Sequence, residues 1–401
     1  MRVALFTDLG LAEAFMFGDC LPEVDCEDIS SLIRILIANR RELTTGTDTM
    51  LASVLARGRT LTSNKFIGSL ANSRANISAH YDLGNTMFSA FLSEDMNYSS
   101  AIFIDFNEDL DPGVSISESL EDAQLRKVHL ILKKANIRPG QRVLEIGTGW
   151  GCLAIIAAKT FNCIVETVTL SSNQASLARQ RIADANVADR VTVHCMDFRE
   201  CRFKPEWAGS FDKFVSIEMI EHVGKDFFVE YWAVADWALK PDTGVGVVQG
   251  ISIPEARVPA YEAGVDFIQK WVRLFWILIG LNRPISVFPG GYLPSFTFFV
   301  QTLNEGSAGR LVVDSVLNIG PHYARTLREW KRRFLANWEG VVAKALIAQY
   351  ALDSIGLEIF KRKWIYYFDY CEAAFRTRTL GDHIVTFTRE GNAAFGCDVQ
   401  S

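Results

Sequence analysis

The chain has 401 residues, of which 49% are hydrophobic and 22% charged, and its formal net charge is −6. This balance is typical of a globular protein with a large core and excludes a disordered chain, and the length allows two or three domains. The net negative charge excludes a general nucleic-acid-binding protein, because contacts to phosphates need a basic surface. The longest apolar run, residues 274–281, is much shorter than the roughly 20 residues that cross a bilayer. Asp8 and Glu13 interrupt the candidate signal segment, so we expect a cytoplasmic protein that is at most peripheral to a membrane.

The predicted secondary structure changes near residue 115, from mostly helices to alternating strands and helices. Residues 1–115 are predicted to form a smaller, mostly helical domain, which contains a Ser- and Thr-rich link and ends in a polar loop. Residues 116–401 alternate seven apolar strand candidates with helical patterns, which predicts an α/β fold with a mainly parallel seven-stranded sheet and helices on both faces. The candidate strands are residues 142–146, 164–170, 190–195, 211–217, 245–251, 310–316 and 383–388. Ligands are expected at the carboxyl ends of such strands.

The first predicted strand runs into the sequence Val-Leu-Glu-Ile-Gly-Thr-Gly-Trp-Gly. Gly147, Gly149 and Gly151 let the backbone turn sharply and approach a ligand, and Glu145 at the strand end can accept hydrogen bonds from it. The pattern is E-x-G-x-G-x-G, whereas a dinucleotide site has G-x-G-x-x-G. This spacing fits S-adenosylmethionine, which has no pyrophosphate, and it predicts a class I, Rossmann-like methyltransferase. A Gly-rich turn without a ligand is the alternative.

The ends of the second and third strands supply further candidate cofactor contacts. No acid follows the second strand, where nucleoside-binding sheets often hold the ribose hydroxyls, so Thr169 and Gln174 are the available ribose partners. After the third strand, Asp197 offers a carboxylate for an adenine amino group. Phe198 offers a ring for the base, although core packing explains Phe198 equally well.

Two carboxylates and an imidazole follow the fourth strand. Glu218 and Glu221 are three positions apart, so they would share one face if a helix began here, with His222 turned aside from it. A helix N-terminus enriched in acids is the structural alternative.

With these motifs in this order, the chain resembles the cyclopropane-fatty-acid synthases and the related mycolic acid cyclopropane synthases, which use S-adenosylmethionine on unsaturated acyl chains. The resemblance covers nearly the whole chain. Besides the glycine motif, the matching blocks are residues 8–16, 80–85, 98–99, 121–124, 221–224, 288–295, 318–327 and 366–375.

The resemblance implies a reaction and a set of site residues. Methyl transfer to a cis alkene leaves a carbocation, and loss of a proton from the added methyl group to a bound bicarbonate closes a three-membered ring. Such a site must bring the reactants together and exclude water. Glu221 and Tyr323 would orient the bicarbonate, and the backbone of Ile251 would complete its binding site. The other residues that the resemblance implies are Tyr98 and Ser99 at the cofactor, His222 and Cys371 in the catalytic group, and His80 and Tyr81 near the cleft.

The chain also departs from the pattern of these synthases. Ser100 stands where the family frequently has Cys, and Gln249 stands where some members have His. Both neighbour the implied bicarbonate, and because glutamine cannot carry charge, weaker anion binding is expected. About fifteen residues near 272–287 are an addition, interpreted as a substrate-facing lid or as mistranslated intron sequence. The start of the leading domain is expected to be missing. Cys371 lacks an evident base partner, so a packed helix thiol is an alternative to a catalytic role.

The sequence thus predicts an S-adenosylmethionine-dependent C-methyltransferase that acts on the double bond of an unsaturated acyl chain, preferably forming a cyclopropane on a phospholipid. The expected partners are this lipid, a membrane surface and a second copy of the chain in a homodimer, without nucleic acid or metal. Basic clusters at residues 331–333 and 361–363 would contact anionic headgroups or form a solvated helix surface. Methylation of a sphingolipid or small molecule without ring closure is one alternative. A non-catalytic lipid- or nucleoside-binding protein is another.

Overall fold

The computed structural model describes residues 2–22, 27–40, 85–111, 113–264, 267–268 and 291–396, with the side chains of the first helix described from Leu9 onward. His80 and Tyr81, the additional residues at 272–287 and the first part of the block at 288–295 lie outside the described residues.

A seven-stranded sheet forms the centre of the described chain. Its strands are β1 Arg142–Ile146, β2 Ile164–Thr169, β3 Val191–Cys195, β4 Lys213–Ile217, β5 Val245–Ser252, β6 Leu311–Asn318 and β7 Gly381–Arg389. Their order across the sheet is β3-β2-β1-β4-β5-β7-β6. The first five strands pair in parallel, and β7 runs antiparallel to both of its neighbours. All seven predicted strands are confirmed within two residues at each end.

The strands are apolar because both faces of the sheet are buried. Successive side chains of a strand point to opposite faces, and in β1 Val143 packs into the core on one face while Leu144 packs into the core on the other. Both side chains are fully buried. This explains why the sequence showed continuous apolar runs here rather than the alternation of a half-exposed strand.

Helices cover both faces and build a third core. Their bounds are α1 Arg2–Met16, α2 Ser30–Ala38, α3 Asn85–Ser89, α4 Leu120–Lys134, α5 Cys152–Phe161, α6 Ser172–Asp184, α7 Phe228–Ala238, α8 Val258–Ala263, α9 Phe296–Gly306, α10 Gly320–Ala336, α11 Ala343–Tyr350 and α12 Ser354–Arg376. Helix α4 shows how the sequence sets such bounds. The Ser119 side chain accepts a hydrogen bond from the Asp122 N–H at its start, and Lys133 and Lys134 lie in its last turn, where positive charge is favourable.

The third core joins the leading segment to the C-terminal helices. Phe15 of α1 and Phe91, just after α3, pack in it with Trp330 of α10 and Phe368 of α12. Trp150, which follows β1, belongs to the same core. The described residues of the segment before residue 115 therefore pack above the sheet edge where β1 ends, and the boundary near 115 stays a prediction. Among the described residues, no helix has both the length and the hydropathy of a membrane span.

Candidate active site

A cavity of about 1030 Å³, including its open mouth, lies at the carboxyl ends of β1 to β4. The structure brings most of the predicted cofactor residues to its wall. Those in the wall are Tyr98, Ser99, Glu145, Gly147, Gly149, Thr169, Gln174 and Phe198.

The glycines give the turn after β1 a path that other residues would not follow. Gly147 has φ +107°, and a Cβ there would come 3.2 Å from the Cβ of Met219. Gly149 has φ +52°, and a Cβ there would meet nothing within 4 Å. Both lie in the cavity wall, so the turn leaves backbone open to a ligand, as the motif predicts.

Glu145 and Gln174 are held by hydroxyl groups beside the cavity. Thr167 donates from Oγ1 to Oε2 of Glu145 at 2.5 Å, and Thr169 donates from Oγ1 to Oε1 of Gln174 at 2.9 Å. Burial raises the pKa of Glu145 to about 8. The neutral carboxyl can both donate and accept a hydrogen bond, which suits a ligand hydroxyl.

Gly151 and Asp197 are not in the cavity wall. Gly151 is the N-cap of α5, with φ +88°, so its role is to start that helix. Both oxygens of Asp197 accept hydrogen bonds from Arg199, Nε to Oδ1 and Nη2 to Oδ2, each at 2.8 Å. The carboxylate that was expected to meet adenine instead caps the short helix that follows it.

Glu218 is the centre of the hydrogen-bond network after β4. Its Oε1 accepts from the Ser100 N–H and from Nε2 of Gln249, both at 2.8 Å, and its Oε2 accepts from the Tyr323 hydroxyl at 2.6 Å. The side chain is half-buried and lies in the cavity wall. We predicted site roles for Ser100, Gln249 and Tyr323, but the sequence did not show that Glu218 joins them. The available signal was its spacing from Glu221.

The prediction of a helix that begins at Glu218 and contains Glu221 is wrong. Glu218 has φ +46°, and only a short 3₁₀ turn follows, at Ile220–His222. Glu221 is buried. Its Oε1 accepts a hydrogen bond from the Ile251 N–H, and its Oε2 has no hydrogen-bond partner among the described residues. Burial, with a smaller effect of the Glu218 charge, raises the pKa of Glu221 to about 8.

We expect His222 from the sequence to turn aside from Glu218 and Glu221. In the structure it lies in the cavity wall with Glu218. Burial lowers its pKa to about 4, so the imidazole is neutral at neutral pH. A neutral imidazole can donate or accept one hydrogen bond without adding a positive charge beside the bound cation that a sulfonium cofactor would bring.

Two buried ionisable groups that the sequence did not single out complete the site. Nε2 of Gln249 also donates to Oδ2 of Asp382 at 2.8 Å, and burial raises the pKa of Asp382 well above its ordinary value. Nζ of Lys127 is fully buried and donates to the Ser99 hydroxyl at 2.5 Å. Burial lowers the pKa of Lys127, whereas the Glu218 charge acts in the opposite direction. The site thus pairs buried carboxyl groups with one buried amine.

Cys371 lies in α12, half-buried against the third core, and is not in the cavity wall. Its catalytic role therefore stays a prediction without support from the position of its side chain.

The basic clusters of α10 and α12 do not form an open basic surface. Their charged groups pair with acids on neighbouring segments, or are buried in the case of Lys363, which is 3% exposed with a pKa lowered to about 7 by burial. The pairs are Lys331 with Asp369, Arg332 with Glu329, Arg333 with Glu121, Lys361 with Glu27 and Arg362 with Glu358. The basic side chains of these clusters are therefore engaged within the protein, which argues against the expected contact with anionic headgroups.

The implied bicarbonate does not fit these residues as they are arranged. The donors assigned to it are the Tyr323 hydroxyl and the Ile251 N–H, and they already bind Glu218 and Glu221. Ser100 and Gln249 also donate to Glu218. An anion here would compete with the Glu218 carboxylate for the Ser100, Gln249 and Tyr323 donors and would lie beside its negative charge, which is unfavourable.

Comparison with known sequences gives a consistent result. Residues 69–383 match the family of mycolic acid cyclopropane synthetase. The tuberculostearic acid methyltransferase UfaA1 of Mycobacterium tuberculosis is 36% identical over 318 residues, 79% of this chain and 66% of that protein. The cyclopropane-fatty-acyl-phospholipid synthase of Escherichia coli is 33% identical over 310 residues, 77% of this chain and 66% of that protein. The chain spans just under two thirds of the length of these relatives.

Solved structures agree on the fold. The mycolic acid cyclopropane synthase CmaA1, complexed with SAH and CTAB, superposes with a TM-score of 0.60 at 27% identity, over 79% of this chain and 98% of that one. Coclaurine N-methyltransferase superposes with a TM-score of 0.67 at 19% identity, over 95% of this chain and 99% of that one. The predicted class I methyltransferase fold is confirmed. By the match over residues 69–383, the chain belongs to the mycolic acid cyclopropane synthetase family.

Proposed function

We propose that the protein transfers a methyl group from S-adenosylmethionine to a carbon of the double bond in an unsaturated acyl chain, with a cyclopropane on a phospholipid as the preferred product. The observation that carries this proposal is the juxtaposition of two sites. The glycine turn and Glu145 lie in the wall of the same cavity as Glu218 and His222. The proposed nucleoside site would thus lie directly beside the carboxyl groups that follow β4.

The described residues fit S-adenosylmethionine, which supplies an electrophilic methyl group when it is bound. Glu145, Thr169 and Gln174 would hold hydroxyl groups, Phe198 would contact the base, and the turn at Gly147 would admit the ligand. The related synthase CmaA1 was solved with SAH, which supports this assignment. The same complex contains CTAB, whose long alkyl tail supports an acyl substrate.

An aromatic wall suits a reaction through a carbocation. The Tyr98 ring lines the cavity and lies 5.2 Å from Trp330 between ring centroids. The rings of Trp150 and Phe198 line the same cavity. Aromatic faces attract a cation without forming a bond to it, and a wall of rings excludes the water that would trap it.

Membrane contact is part of the proposal because an esterified acyl chain resides in a bilayer. The paired charges of α10 and α12 argue against their basic clusters as the binding surface, so hydrophobic contact is favoured over headgroup charge. The exposed apolar side chains Ile35, on α2, and Ile355, at the start of α12, are candidates for it. The homodimer likewise stays a prediction.

The experiment uses purified protein, S-adenosylmethionine with a trideuterated methyl group, and vesicles of monounsaturated phosphatidylcholine. Lipid mass spectrometry should find a product heavier by one methylene, and saturated vesicles of equal size are the control. A product that keeps two deuterons on the added carbon has lost its proton from the methyl group, as ring closure requires. An exocyclic methylene would also keep two deuterons, so the ring protons of a cyclopropane are sought by NMR. A product that keeps three is a methyl-branched lipid or one with a shifted double bond, and it contradicts the cyclopropane. No transfer to any unsaturated lipid contradicts the proposed function.

A further inference from the structure

Three hydrogen-bond donors from distant parts of the chain meet at one carboxylate in the cavity wall. The donors are the backbone of Ser100, the amide of Gln249 in β5 and the hydroxyl of Tyr323 in α10, at 2.6 to 2.8 Å from the Glu218 oxygens. Burial raises the pKa of Glu218, whereas each of these donors favours its ionised form. Because the side chain also faces the cavity, it holds a negative charge beside the place where a substrate would lie.

The backbone at Glu218 is unusual in a way that points to function. With φ +46°, Glu218 is in the left-handed region, where glycine is at ease and a residue with a Cβ is strained. Such residues concentrate at active sites, where the surrounding structure holds them in place. The strained turn aims the carboxylate at Ser100, Gln249 and Tyr323 instead of continuing the strand direction.

The neighbouring ionisable groups leave the negative charge on Glu218. Asp382 and Glu221 are buried, and for both of them burial and the Glu218 charge raise the pKa, which favours their neutral forms. The buried amine of Lys127 is attracted to Glu218 more strongly than to the other acids near it. A cluster with a single carboxylate, Glu218, and a single cation, Lys127, avoids the repulsion that several buried anions would have for one another.

We infer that Glu218 is the proton acceptor of the reaction, in place of a dissociable anion such as bicarbonate. This rests on the proposed function. After methyl transfer, the substrate carries a positive charge on the carbon next to the newly methylated one. A C–H bond of the added methyl group breaks, its electron pair forms the bond that closes the ring, and the proton passes to a Glu218 oxygen. The protonated carboxyl later releases that proton to solvent, so one proton leaves for each methyl group transferred.

The first test removes the negative charge of the Glu218 side chain and keeps its size. Glu218→Gln keeps the size of the side chain, and we expect turnover to fall by at least about 100-fold, the range for removal of a general base. Binding of S-adenosylhomocysteine, measured by calorimetry, should be nearly unchanged. Glu305→Gln, an exposed glutamate on α9, is the matched control and should keep wild-type turnover. A Glu218→Gln variant with near wild-type turnover on a lipid that the wild type methylates overturns the inference and leaves the proposed function standing.

The second test removes the Glu218 carboxylate and adds a small anion in solution to replace it. Glu218→Gly removes the carboxylate at a φ that suits glycine, so the fold should be retained and the three donors freed. Added formate or bicarbonate should then restore part of the turnover, whereas the wild type should be indifferent to bicarbonate depletion. Wild-type turnover that requires bicarbonate overturns the inference.

A binding measurement separates this inference from the substrate assignment. Carbon-13 bicarbonate, followed by NMR, should bind to Glu218→Gly and not to the wild type, whether or not a lipid is methylated. Bicarbonate that binds the wild type and is lost in Tyr323→Phe contradicts the inference by itself. Absence of methyl transfer to every unsaturated lipid, with the expected bicarbonate result, contradicts the proposed function and still supports Glu218 as the occupant of the anion position.

Discussion

The hydroxyl of Tyr323 donates a 2.6 Å hydrogen bond to Oε2 of Glu218 and thereby connects the helical core to the end of β4. Burial raises the pKa of Tyr323 well above its ordinary value, so the phenol remains a donor at all physiological pH values. The Tyr323 ring stacks on Phe375 with an interplanar angle of 13°, which fixes the direction of the hydroxyl. Positions 218 and 323 are therefore held in one geometry by packing as well as by the hydrogen bond.

Tyr323→Phe removes this hydrogen bond and keeps the stacked ring. A hydrogen bond to a charged group contributes about 1.5–3 kcal/mol, so turnover should fall by about 10- to 100-fold. Cofactor affinity should change little, because Tyr323 is not in the cavity wall. Thermal stability should fall by no more than the contribution of this hydrogen bond, because the Phe375 contact remains. Steady-state kinetics with calorimetry of S-adenosylhomocysteine separates the two effects. A loss of affinity equal to the loss of turnover would contradict the assigned role.

The stability of the protein without cofactor should fall as pH rises from about 5 to about 8, because unfolding exposes buried neutral carboxyls. Glu145 has a folded pKa of about 8 against an ordinary value of 4.5. Between these values the unfolded chain has released the proton and the folded protein keeps it. Each such group lowers the free energy of unfolding by about 1.4 kcal/mol per pH unit in that interval.

Glu145→Gln stays neutral in both states and should remove the contribution of this residue. Urea unfolding of both proteins across the interval provides the measurement. The variant should show a shallower decrease of stability with pH, whereas parallel curves would mean that Glu145 is ionised in the folded protein. Glu221, whose pKa is also about 8, leaves a residual slope in the variant.

Gln174→Ala should weaken binding of S-adenosylhomocysteine about tenfold, the effect of losing one hydrogen bond of about 1.4 kcal/mol. Gln174 is buried in the cavity wall, and its Oε1 is oriented by the Thr169 hydroxyl. Calorimetry gives the dissociation constant. Gln301→Ala, on the exposed face of α9, is the control and should bind as the wild type does. An unchanged constant in Gln174→Ala would remove this residue from the cofactor site.

The sequence predicted the sheet well because its signals are local. Each strand is a short apolar run, and parallel strands place their carboxyl ends at one edge, so Glu145, Thr169 and Phe198 were expected to meet and do. Glu218 could not be assigned in this way. Its role depends on a left-handed backbone and on donors from positions 100, 249 and 323, whose meeting is set by tertiary packing. The position of Asp197 outside the cavity wall has a related cause, because the neighbouring Arg199 donates hydrogen bonds to its carboxylate.

Cys371→Ala should keep most of the wild-type turnover. The Cys371 thiol packs against the third core from α12 and lies outside the cavity wall, whereas Cys152 is buried in that wall. Asn97 donates to Sγ of Cys152 at 3.3 Å, and burial raises the pKa of that thiol above its ordinary value, so Cys152 lacks the exposed thiolate that a nucleophile needs. Turnover of the variant on unsaturated vesicles is the measurement. A loss as large as that expected for Glu218→Gln would return Cys371 to the catalytic group and would require a movement of α12 toward the cavity.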